Sequence, residues 1–155
     1  MSKLLIFLII PAVLSRGLRF SDFSTTTQPF QQQQDALITV YKFLSALVNA
    51  ARSDDYSIFD QRFLVLIHED IHTVRTGTKE DIFQIFKTFP QNDNIEQVFP
   101  RNELKFIHAT VIDGYKIFDF TVTKNGVPIY ASVKVLAENQ FSLRFITISI
   151  PPKFE

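Results

Sequence analysis

The sequence has no cysteine and no tryptophan, only four glycines and one methionine, and no excess of charge of either sign. Without cysteine there is no disulfide framework, no thiolate nucleophile and no Cys-based zinc site. Lys plus Arg and Asp plus Glu each number 16, so no long-range field draws in nucleic acid or an anionic membrane. Seven prolines and four glycines in 155 residues exclude a collagen-like or low-complexity chain. No Asn-x-Ser/Thr triplet occurs, so N-glycosylation is not expected. What the chain does have is aromatic: 17 Phe and 4 Tyr. A single domain of this length can build its core from that apolar area, without covalent staples.

The first residues read as an address. Met1-Ser2-Lys3 is a short basic start, Leu4 to Ile10 is unbroken hydrocarbon, and Pro11-Ala12-Val13-Leu14-Ser15 ends in small residues. This is the layout of a secretory signal peptide, with cleavage after Ser15 or Gly17. The run is shorter than the roughly 20 residues a membrane span requires, so no membrane anchor is expected. The division is therefore a signal peptide over 1–15, a flexible leader over 16–30 and one domain over 31–152, with an extracellular destination.

Between Asp35 and Arg52 the polar residues Asp35, Thr39, Lys42, Ser45, Asn49 and Arg52 recur every three or four positions. Opposite them lie Ala36, Val40, Phe43, Leu44, Leu47 and Ala51, the pattern of an amphipathic helix. Asp54-Asp55 caps a second, short helix, on which Tyr56, Phe59 and Phe63 follow helical spacing. Leu64 to Ile67 reads as a buried strand, with residues 71–75 as its partner. Thr78 with Asp81 forms a capping box for a third helix carrying Ile82, Phe83, Ile85, Phe86 and Phe89, and Pro90 ends it.

Asp113-Gly114 and Asn125-Gly126 are two-residue hairpin turns. Tight closure sets Val122 opposite Ile129, Phe120 opposite Ala131 and Phe118 opposite Val133. It also sets Ile107 opposite Phe120 and Ala109 opposite Phe118. A turn at Asn139-Gln140 puts Ile146 opposite Val133 and Ile148 opposite Ala131. These turns agree on one apolar inner face: Ile107, Ala109, Val111, Phe118, Phe120, Val122, Ile129, Ala131, Val133, Ile146, Ile148 and Ile150. Three N-terminal helices must cover that face, which gives an α+β domain with a mainly antiparallel sheet. The outer face mixes Phe106, Ile117, Tyr130, Leu136, Leu143 and Phe145 with polar residues, the composition of a contact face.

The helix, helix, two strands, helix, four strands order, with Tyr41 to Asp55 running into a Phe-bearing segment, resembles the nuclear-transport-factor-2-like superfamily. This is the SnoaL-like, cystatin-like cone fold. The resemblance implies a curved sheet wrapped on the first helix, a pocket between them and frequent dimerisation through the sheet's outer face. Members range from isomerases to pure interaction domains. The isomerases place a Tyr on the first helix, an Asp on the first strand and a second acid on a later strand. The corresponding positions here are Phe43, the carboxylate-free stretch Phe63 to Ile67, and Ala131 or Val133. A general base must be titratable, and hydrocarbon is not.

His68-Glu69-Asp70-Ile71-His72 matches H-E-x-x-H, which on a helix puts both histidines on one face around a zinc ion. After Leu64 to Ile67 a strand is the expected setting, where residues four apart are about 13 Å apart, and a strand-end turn is expected. His108, Asp119 and Ser132 fall in one lateral row. With the acid in the middle they form a polar ladder, not a triad. The expectation is a secreted, non-catalytic domain without a cofactor. It holds an apolar small molecule in a pocket lined by Phe43, Leu47, Phe83, Phe118, Phe120, Ala131 and Val133, or joins a second copy or protein partner through Phe106, Ile117, Tyr130 and Phe145. The alternative is a small secreted zinc hydrolase using His68, Glu69 and His72.

Overall fold

The computed structural model describes residues 29–89, 94–124 and 126–149, without the side chains of residues 29–31, 106 and 107. The stretch expected to be a signal peptide and most of the expected leader, along with Pro90, Asn125 and Ile150, lie outside the described residues. Gln34–Glu155 form one compact unit, which contains the core and the surfaces treated below. Of Met1–Gln33, the structure describes the opening of the first helix.

Helix α1 runs Pro29–Ser53, so it begins two residues inside the stretch assigned to the leader. The alternation read from the sequence sets its orientation: Ala36, Val40, Phe43, Leu44, Leu47 and Ala51 are all buried, and Lys42, Asn49 and Ser53 are exposed. Asp55 caps the next element, the expected short helix, which is a single 3-10 turn over Tyr56–Ile58 and does not reach Phe59 or Phe63. Strand β1 follows at once as Phe59–His68. The expected second helix is therefore corrected. Phe59 and Phe63 pack with tilted rings 4.6 Å apart between centroids, along a strand and not around a helix. Four-residue spacing suits one side of either element, since four is also an even number of strand positions.

Strand β2, Val74–Thr76, starts later than expected. Gly77 then passes close beneath the sheet, and a Cβ there would sit 2.6 Å from Cδ1 of Ile67. Helix α2, Lys79–Lys87, opens with the Thr78/Asp81 capping box. Its Ile82, Phe83 and Phe86 are buried. Two elements were not expected: a short helix α3, Ile95–Val98, capped by Asn94, and a 3-10 turn at Arg101–Glu103.

The four remaining strands are β3, Leu104–Ile112, β4, Tyr115–Lys124, β5, Val127–Ala137, and β6, Gln140–Ser149. Among the described residues they complete a six-stranded sheet in the order β2-β1-β6-β5-β4-β3. Every pairing is antiparallel except β1 with β6. This is the α+β order that the nuclear-transport-factor-2-like resemblance implies.

Both glycine-containing turns form. Ile112 pairs with Tyr115 and Lys124 with Val127, and Gly114 and Gly126 have φ of +79° and +76°, which two-residue turns demand. The β4–β5 register is the expected one, from Val122↔Ile129 to Phe118↔Val133. Elsewhere three irregularities change it, the last of them between Val135 and Ala137. One between Phe106 and His108 sets Phe106, not Ile107, opposite Phe120. At the last turn Ala137 pairs with Gln140, so Ile146 lies opposite Ala131 and Ile148 opposite Ile129. A second bulge between Ser132 and Val133 brings Leu143 opposite Val133. A bulge adds one residue and so reverses which face the following side chains occupy. Leu143 accordingly belongs to the core, not to the outer face.

Candidate functional site

The residues expected to line an internal pocket are all buried: Phe43, Leu47, Phe83, Phe118, Phe120, Ala131 and Val133. They do not converge on one point. Phe83 packs on Tyr56 and Phe59, at 4.7 and 5.0 Å between ring centroids. Phe43 meets Phe120 and Phe141 edge-on at 5.9 and 5.7 Å. Phe43, Phe118, Phe120 and Val133 do share one crevice, together with Thr39, Val40, Val135 and Phe141. Its free volume is ≈ 0 Å³, so aromatic rings fill the space beneath α1.

Open space lies on the other side of α1. A groove of ≈ 270 Å³ is lined by Gln34, Leu37, Ile38, Tyr41, Lys42 and Ser45 of α1 and by Ile95, Glu96 and Arg101 from the α3 segment. The α1 residues are three or four positions apart, which puts them on one stripe of the helix. The Tyr41 hydroxyl donates to the backbone carbonyl of Phe99 at 2.8 Å, tying the two walls together. The Asn94 side chain accepts from the Glu96 N–H at 3.1 Å and fixes the start of α3. Arg101 forks onto Glu96 through Nε at 3.2 Å and a terminal nitrogen at 3.4 Å. Burial raises the Tyr41 pKa first, and the Glu96 charge adds to this while Arg101 opposes it. Lys42 lies on the rim, 3.8 Å from Glu138. The groove thus has apolar walls in Leu37, Ile38 and Ile95, with the ion pairs Arg101–Glu96 and Lys42–Glu138 at its edge.

The sequence pattern does not mark this groove as a site. The available signal was Ile38, an apolar residue on the exposed side of an otherwise well-sorted helix; it is 47% exposed.

The H-E-x-x-H stretch is a strand end and a turn. His68 closes β1, and Asp70 holds the turn by accepting from the His72 and Thr73 N–H groups at 2.6 and 2.7 Å and from the Thr73 hydroxyl at 2.9 Å. These bonds, that from His72 first, hold the Asp70 carboxyl below its ordinary pKa. Glu69 pairs with Arg75 at 2.7 Å. The helical face that would present His68 and His72 together does not form. Among the described residues no group of three or more His, Asp or Glu side chains comes together to hold a metal ion.

On the sheet's outer face His108, Asp119 and Ser132 form the expected lateral row, continued by Phe145 and Leu64. Asp119 sits between the other two, so the row is a ladder. Tyr130 and Phe145 meet edge-on at 5.8 Å. Burial, then the charge of Asp119 and a hydrogen bond with it, push the Tyr130 pKa up to about 12. Ile117 is buried and offers no surface. Phe106 is described by its backbone register alone. Leu64 and Leu66 belong to this face, because they pair with Phe145 and with Thr147, the neighbour of Tyr130. Leu64 is half exposed. The continuous apolar run Leu64 to Ile67 concealed this alternation.

No protein-family model and no curated protein matches the chain. Solved structures similar to it include an NTF2-like protein of unknown function from Shewanella baltica OS155, at 11% identity and a TM-score of 0.41, covering 79% of this chain and 96% of that one. Another is a DUF4783 family protein from Bacteroides ovatus ATCC 8483, at 12% identity and a TM-score of 0.36, covering 67% and 91%. Both likenesses are weak.

Proposed function

We propose that the protein is a secreted, non-catalytic binding domain whose ligand is a small, largely apolar molecule held in the groove between α1 and α3. The observation that carries this reading is the contrast between two volumes: ≈ 0 Å³ in the crevice that Phe43, Phe118, Phe120 and Val133 share and ≈ 270 Å³ in the groove. The groove volume approaches the roughly 300 Å³ at which small-molecule pockets begin. Leu37, Ile38 and Ile95 would take the apolar body, and the Arg101–Glu96 pair, with Lys42 at the rim, a polar head. A non-catalytic role is supported by the hydrocarbon at Phe43, Ala131 and Val133, and by Asp119, which lies on the outer face beside Tyr130. Among the described residues, these inner-face positions carry no group that could move a proton.

The test is extraction of natively purified protein followed by mass spectrometry. A stoichiometric amphipathic molecule that is absent from the Ile38→Asp variant supports the reading. A ligand retained equally by that variant and lost from Phe43→Ala contradicts it, because the site is then internal.

The band Leu64, Leu66, Tyr130 and Phe145 favours a second reading, a partner-binding face with an apolar centre and the polar border His108, Asp119 and Ser132. Loss of a partner on Leu64→Asp, with the groove ligand retained, would favour it.

A further inference from the structure

Among the described residues, strand β3 ends the sheet with an open edge and pairs with β4 alone, whereas the opposite edge, β2, is three residues long. An unpaired edge is a row of N–H and C=O groups ready for another strand. Proteins blunt such edges with proline, charge or very short strands. The nine residues of β3 include no proline, and from Ala109 to Ile112 no charge. Apolar exposure concentrates there as well: Val111 is 69% and Ile112 47% exposed. Ala109 and Val111 fall on the apolar side of the strand by sequence, yet both are exposed.

The hairpin geometry says which backbone groups are free. The tight turn at Asp113-Gly114 closes on the Ile112–Tyr115 pair, and the closing pair of a two-residue hairpin is hydrogen-bonded. Pairs of that kind alternate along an antiparallel ladder. Ile112 and Thr110 therefore spend their backbone groups on β4, and Ala109 and Val111 direct theirs outward.

The geometry points to a second copy of this chain as the occupant, with β3 pairing antiparallel to the partner's β3 about a two-fold axis at Thr110. In that register Ala109 lies opposite Val111 of the partner subunit, and the same pair recurs by symmetry. Each pair exchanges both of its outward bonds, with exposed apolar residues meeting on one face and no like charges opposed. The result is a continuous twelve-stranded sheet. A closed, isologous contact of this kind is the commonest form of dimer. The inference depends on the β3 edge alone and is independent of the groove.

Analytical ultracentrifugation of the full chain across a dilution series tests it. The wild type should sediment at twice the chain mass. Ala109→Pro removes only an outward donor, and Val111→Lys places charge on the edge; both should sediment as monomers with an unchanged far-UV circular dichroism spectrum. Leu64→Asp, on the outer face, should remain dimeric. Amide exchange reads the same contact without mutation: Ala109 and Val111 should be protected in concentrated wild type and lose that protection on dilution. A wild type that is monomeric throughout, a dimer that survives Val111→Lys, or a dimer broken by Leu64→Asp overturns the inference. Strand addition from a different protein onto a monomeric chain would overturn it equally.

Discussion

The Tyr41 hydroxyl lies 2.8 Å from the carbonyl oxygen of Phe99 and donates to it. Both residues are buried, and the bond spans the two walls of the groove. Tyr41→Phe leaves the Phe99 carbonyl with a lost partner in a dry setting, at a cost of about 1–2 kcal/mol. Urea unfolding should show that loss as a lowered midpoint with an unchanged slope. Ligand retention should fall with it, because the α3 wall loses its anchor.

Thr78 and Asp81 cap α2 reciprocally. Thr78→Ala should cost about 1 kcal/mol without changing the fold, measured by thermal unfolding. The Thr78 N–H, then Arg75, holds the Asp81 carboxyl below its ordinary 3.8. A carboxyl bound more weakly to its proton when folded stabilises the fold above its unfolded value. That contribution disappears as pH falls through the folded one. Asp81→Asn should therefore reduce the steepness of acid unfolding below pH 4.

Tyr130 gives a spectroscopic handle on the outer face. With its pKa pushed up from 10.0 to about 12, the folded state holds this proton more tightly than the unfolded state does. The contribution to stability is complete below pH 10 and is lost as pH rises toward 12. Tyrosinate absorbance should show a late step near pH 12. Tyr130→Phe should remove that step, and Asp119→Asn should shift it downward.

Much of the fold could be read from residue order. The core side of α1 from Ala36 to Ala51, the Thr78/Asp81 cap and the two glycine turns each follow from local chemistry, and the β4–β5 register follows from the turns. Bulges have no such local signature. An extra residue at Phe106–His108 or at Ser132–Val133 is fixed by packing, and the second one carries Leu143 from the expected outer face into the core. Leu64 to Ile67 shows another limit, because an unbroken apolar run hides which side chains point outward. The groove was hidden for a different reason. Its walls come from α1 and from the Ile95–Arg101 stretch, far apart in sequence, and long-range contacts such as the bond from Tyr41 to Phe99 join them.

The H-E-x-x-H stretch is predicted to be inert as a metal site. His68→Ala combined with His72→Ala should leave the unfolding free energy within about 0.5 kcal/mol of wild type, as for ordinary surface changes. A chelator should not move the melting temperature of either protein. A chelator-sensitive melting temperature that the double variant loses would show a metal site there.

The central claim, that binding occurs outside α1 and not beneath it, is tested most directly by nuclear magnetic resonance titration with an apolar anion such as anilinonaphthalene sulfonate. Saturable shifts should cluster at Leu37, Ile38, Tyr41, Ile95 and Arg101 and vanish in Ile38→Asp. Shifts centred on Phe43, Phe120 and Val133 would contradict the account.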